Sequence, residues 1–211
     1  VDEGFDVEGG LTFDVVDNSD GSGTNLVMDE TDVLFYFTGL TRVTDLETNT
    51  YRPGAIADHL TSFGGRVPDA GGQMSVVVWL EGGVTGSFGT TVEPCNYTTK
   101  FPNVGVVVPQ YFRGATLIEA YWKSVRTPGE GLFVGEPLAR PFGEQTVAFE
   151  ADEIVIETNA FGRDDGWVFE SGDTADGPWT EVQSGTVAEW SRQTFRLPNT
   201  GAPNYRLRRP E

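Results

Sequence analysis

The chain has 211 residues, 38% hydrophobic and 12% aromatic, enough to bury a real core as one large domain or as a medium and a small one. Its formal net charge of -18, from 32 acidic against 14 basic residues, argues against nucleic acid and anionic membrane surfaces as partners, and no apolar run is long enough for membrane insertion. Cys95 stands alone, which excludes an intrachain disulfide.

Residues 5 to 16 alternate apolar and polar (Phe5, Val7, Leu11, Phe13, Val15) around Gly9-Gly10, the pattern of a hairpin with a glycine turn. After the polar turn "DNSDGSGTN" comes "DVLFYFTG" (32–39), nearly all apolar, which predicts a strand buried on both faces. "GAIADHL" (54–60) predicts a second such strand. "GGQMSVVVWLEGG" (71–83) has helical spacing but three consecutive valines, and "VTGSFGTTV" (84–92) reads as a strand. In "VPQYFRGATLIEAYWKSVRTPG" (108–129), Leu117, Ile118, Tyr121, Trp122 and Val125 recur at spacings of three and four before Pro128-Gly129, predicting one helix. "GLFVGEPL" (131–138) closes the series as a short strand. Strands alternating with helices predict an α/β domain over 1–143, a parallel sheet with helices on its faces. From about residue 144 the pattern turns to short alternating strands separated by Gly, Pro, Asn and Asp, predicting an all-β sandwich of immunoglobulin or fibronectin type over 144–211.

Four groups of residues bear on chemistry. His59, the only histidine, is followed by Thr61 and Ser62, a base beside hydroxyls; no third group is placed by spacing to orient the ring, so the expectation is a structural histidine bonded to Asp58 or a neighbouring loop. Cys95, with Glu93 and Asn96 in "VEPCNY", follows a predicted strand, so a displaced Cys95–His59 dyad is the alternative to a structural thiol. Asp14, Asp17, Asn18 and Asp20 offer the oxygen donors calcium prefers, but without the spacing of a calcium loop, so a turn with no cofactor is expected. The tail carries Trp167, Trp179, Trp190 and Tyr205, a candidate protein- or carbohydrate-binding surface for which core packing is the plainer use. Asn96-Tyr97-Thr98 matches a glycosylation sequon and carries little weight.

"ADHLTSFGG", "WLEGGVTGSFGTTVEPCNYTTKFP", "YFRGATLIEAYWKSV" and "GLFVGEPLARPF" resemble an uncharacterised bacterial protein family related to the caspase and gingipain fold. The resemblance covers residues 11 to 143, and the tail resembles the small β-sandwich that follows the peptidase domain in gingipain-like proteins. It implies one strand ending in a catalytic His and a second ending in a catalytic Cys. Here "DVLFYFTG" ends in Phe37-Thr38-Gly39 rather than His-Gly, and "GAIADHLTSFGG" has no cysteine. The last strand carries Glu136 where aspartate is common. The first strands of the usual domain have no counterpart, so the resemblance implies the back half of a caspase-like domain that has lost its dyad.

The expectation is therefore a non-enzymatic structural or assembly protein that self-associates or pairs with the missing front half of its precursor. Two alternatives stand beside it: a divergent cysteine peptidase fragment completed by another chain, and an extracellular binding module. A start at Val1 reads as the mature product of a longer precursor. With an acidic surface low in lysine, it points to a salt-adapted bacterial protein, extracellular or on the cell surface, with the periplasm as the alternative compartment.

Overall fold

A computed structural model describes residues 11–21, 23–93, 97–189 and 191–210. The chain forms two compact units, Val15–Phe142 and a second comprising Gly143–Glu211 with the N-terminal residues through Asp14. Of the described residues, 11–14 group with the tail. The predicted hairpin falls largely outside the described residues, and residues 11–16 carry no strand.

The α/β unit is built on one four-stranded sheet in the order β1 (Val33–Thr38), β2 (Tyr51–His59), β3 (Gly86–Thr90), β4 (Gly131–Gly135). β1, β2 and β3 run parallel, whereas β4 lies antiparallel to β3 with Phe133 opposite Phe88. The sheet is therefore mixed, which corrects the expectation of a parallel one. Strand direction leaves no mark on an apolar run, so the sequence pattern could find β4 but not orient it.

Residues 55–59 of β2 are all buried, as a strand covered on both faces must be. On one face Tyr36, Ala57, Met74, Trp79 and Val84 form a core beneath the short helix α1 (Val77–Glu81). The other face is covered by α2 (Val104–Phe112) and α3 (Leu117–Ser124) through ring contacts: Phe88 stacked on Tyr121 at 5.9 Å, Phe133 tilted on Tyr121 at 5.6 Å, and Phe35 edge-on to Tyr111 at 6.2 Å. The single helix expected over 108–129 is two. Gly114 takes φ +86, a left-handed conformation that ends α2. Thr116 then caps α3, its side chain accepting from the Glu119 N–H while the Glu119 carboxylate accepts from the Thr116 N–H at 2.9 Å.

The second unit holds two antiparallel three-stranded sheets, in the orders β5-β6-β9 and β10-β7-β8. The strands are β5 (Thr146–Phe149), β6 (Glu153–Thr158), β7 (Gly166–Gly172), β8 (Thr180–Thr186), β9 (Gln193–Pro198) and β10 (Asn204–Arg208). Alternate residues of β6 and β9 point inward, and Ile154, Ile156, Phe195 and Leu197 share a core with Phe169 of β7.

Candidate functional site

Successive residues of a strand point to opposite faces of the sheet, so Asp58 and His59, at the carboxyl end of β2, enter different cores. His59, 1% exposed, lies on the α1 side with Trp79. The Trp79 indole N–H donates to His59 Nδ1 at 3.0 Å, and since an indole nitrogen can only donate, Nδ1 is the unprotonated acceptor. Nε2 lies 2.5 Å from the Met74 carbonyl and so carries the proton it donates. Burial holds the imidazole below its ordinary pKa, only partly opposed by the Met74 bond, and the ring is neutral with both nitrogens engaged. Of the two partners expected, Asp58 or a neighbouring loop, the loop supplies the bond, through the Met74 carbonyl. Replacing Trp79 with Phe keeps an aromatic ring but strands Nδ1, a loss of about 1–3 kcal/mol readable by urea unfolding.

Asp58, with no solvent exposure, faces α3. Its Oδ1 accepts from the Phe88 N–H at 2.6 Å, the Ser87 hydroxyl at 3.1 Å and the Tyr121 hydroxyl at 3.0 Å. Its Oδ2 lies 3.1 Å from the same Tyr121 hydroxyl. Burial pushes the carboxyl up to about 7 against the pull of these donors, because none of them brings a positive charge. Tyr121 in turn is held well above its ordinary value, by burial first and then by the neighbouring Asp58.

Beyond the carboxyl ends of β2 and β3, three chain segments meet. The Gly65 N–H donates to the Thr90 carbonyl at 2.9 Å, the Thr90 hydroxyl to the Thr61 carbonyl at 2.6 Å, and the Thr91 N–H to the Glu130 carbonyl at 2.8 Å. Lys100, with no solvent exposure, pairs with Glu93 at 2.5 Å. The Lys100 bond, helped by one from the Ser62 hydroxyl, holds the Glu93 carboxyl below its ordinary value. Tyr97 donates to the Glu130 carboxylate. Ser62 thus meets a carboxylate anchored by an ammonium, and His59, turned into the core, is no base for it. Sequence reading missed Asp58 and Lys100 as site residues. Asp58 had a signal, since it lies inside a run read as buried on both faces; Lys100 had none.

Cys95 and Asn96 lie outside the described residues, and so does Trp190. The acidic turn satisfies itself: the Ser19 N–H donates to Asp17 at 2.8 Å and the Gly23 N–H to Asn18 at 2.7 Å. Among the described residues no group of three or more His, Cys, Asp or Glu side chains is placed to hold a metal, and no helix is long and apolar enough to cross a membrane. In the tail, Trp167 and Tyr205 pack against the core, and Arg206 lies over the Trp179 ring at 4.4 Å. Comparison with protein-family models, curated proteins and solved structures finds no match to the chain.

Proposed function

We propose that the chain is a non-enzymatic structural protein, exported and self-associating, on a caspase-like scaffold that has lost its chemistry. The observation that carries this reading is His59: the only imidazole of the chain spends both nitrogens inside the core, on Trp79 and Met74, leaving no lone pair or proton for a substrate. Association is supported by the edge strand β5, whose four residues are all exposed, with Val147 at 48% and Phe149 at 68%. An open strand edge bearing apolar side chains favours pairing with another chain. Light scattering on the size-exclusion peak is expected to give an oligomer that Val147→Lys with Phe149→Lys converts to a monomer. A monomeric parent chain refutes the assembly reading.

One observation favours a cysteine peptidase as the second reading. β2 and β3 are adjacent and parallel, so His59 and the segment leading to Cys95 leave the sheet at the same edge. On the leading reading, casein and peptide substrates are not cleaved, and iodoacetamide alkylates native Cys95 at the same rate in the parent and in His59→Ala. A fast rate that His59→Ala slows establishes the dyad instead.

A further inference from the structure

We infer that the open edge of β10 is a docking site for an extended peptide of a partner protein in which acidic residues alternate with apolar ones. β10 ends its sheet: among the described residues β7 is the one strand hydrogen-bonded to it. All five of its residues are half-buried. An open edge offers a row of main-chain donors and acceptors that an extended chain can pair, and the side chains of the edge strand then decide which chain fits. This edge is separate from that of β5, and the inference does not depend on self-association.

One face of β10 is cationic. Arg206 and Arg208, two apart and so on the same face, share one carboxylate, that of Glu170 on β7. Arg206 Nε donates to Glu170 Oε2 at 2.6 Å, while Arg208 gives Nε to the same oxygen at 2.9 Å and Nη2 to Oε1 at 3.1 Å. Two guanidiniums on one carboxylate leave a net positive charge here, in a chain whose net charge is -18. Arg206 also lies over the Trp179 ring at 4.4 Å, so its plane is fixed from two sides. Its side chain stays 40% exposed, and among the described residues neither Nη atom has a hydrogen-bond partner. A guanidinium held still with its fork open to water is set to take a carboxylate.

The other face of β10 is apolar. Tyr205 stacks on the Phe169 ring at 5.4 Å, and Leu207 packs against the same core. Phe149 of β5 lies 6.4 Å from Tyr205 yet is 68% exposed, so the core is uncovered on this side. A strand laid along β10 brings its alternate side chains within about 5.5 Å of Arg206 and Arg208 on one face, and of Tyr205 and Leu207 on the other. Carboxylates match the first pair and apolar groups the second, and an apolar residue beside Tyr205 also shields Phe149. The fitting sequence is therefore acidic, apolar, acidic, apolar over four residues. A nucleic acid or a sulfated sugar brings the charge but neither the alternating apolar groups nor a peptide main chain to pair with the edge.

Isothermal titration of the full chain with the capped peptide Ser-Glu-Val-Glu-Val-Ser tests the site, at about 0.15 M salt, where charges more than about 8 Å apart are largely screened. Saturable binding is expected. Replacing both glutamates of the peptide with glutamine is expected to weaken it by about tenfold, the worth of one charge-assisted hydrogen bond. Arg206→Gln is expected to weaken it by about the same factor; that variant keeps a donor for Glu170, which Arg208 continues to hold, so the sheet survives. Absence of binding by the glutamate peptide overturns the inference, and so does equal binding by the glutamine peptide, a comparison that leaves the protein untouched. If the peptide does not bind and Arg206→Gln instead turns an oligomeric parent into a monomer, the face belongs to a second copy and the inference falls as well.

Discussion

Replacing Asp58 with Asn is expected to make the α/β unit more stable at neutral and alkaline pH and to remove most of its pH dependence between 3.8 and about 7. In the folded chain the Asp58 carboxyl is raised from 3.8 to about 7. A raised carboxyl binds its proton more tightly when folded than when unfolded. Its contribution is full below 3.8, falls as pH rises toward about 7 and is gone above that. A difference of that size corresponds to roughly 4 kcal/mol, an order-of-magnitude figure at about 1.4 kcal/mol per unit. Asn fits the site because its carbonyl can stand where Oδ1 accepts from Phe88 and Ser87, while its amide donates to the Tyr121 oxygen from the place of Oδ2. Urea midpoints of parent and variant are expected to coincide near pH 4 and to separate by about pH 8, the variant being the more stable. Parallel curves across that range defeat the argument. Glu170 runs the other way in the second unit: Arg208 and Arg206 hold its carboxyl down at about 2, so its contribution is lost only in acid.

Gly89→Ala is expected to break the packing beside the site, at a cost of about 3 kcal/mol or more. A Cβ on Gly89 would stand 2.5 Å from Val76 Cγ1 and 2.6 Å from the Gly64 carbonyl carbon, and it would overlap the Gly65 nitrogen. Backbone crosses backbone here, and Gly65 is already fixed by its bond to the Thr90 carbonyl, so neither side can yield. Gly39→Ala is the control, since nothing lies within 4 Å of its added Cβ; it is expected to change stability by less than about 0.5 kcal/mol. Chemical unfolding of the pair separates a local steric clash from a general penalty for losing glycine.

How much of this was legible in the sequence depends on what kind of information each feature needs. The strands were found because "DVLFYFTG" and "GAIADHL" are apolar enough to demand cover on both faces, and the short alternating runs after 144 do form two sheets around one core. The break between α2 and α3 was also written there, in Gly114 and in the Thr116-x-x-Glu119 capping box, but the long 3.6-residue periodicity masked it. Strand direction and the partners of His59 were not legible, since Met74 and Trp79 reach that ring only through tertiary packing. Lys100 was the least legible of all. A lysine in a polar loop predicts exposure, and only the arrival of Glu93 and Phe101 around it makes burial affordable.

That burial has a practical consequence. The chain has two lysines, Lys100 and Lys123, and only Lys123, in the last turn of α3, presents its ammonium to water. Amine-reactive dyes, cross-linkers and coupling resins applied to the folded protein therefore find one lysine, at a fixed place on a helix. A fluorophore or a surface tether can be set on this lysine of the α/β unit without introducing a cysteine, once the α-amino group of the chain, the other reactive amine, is blocked.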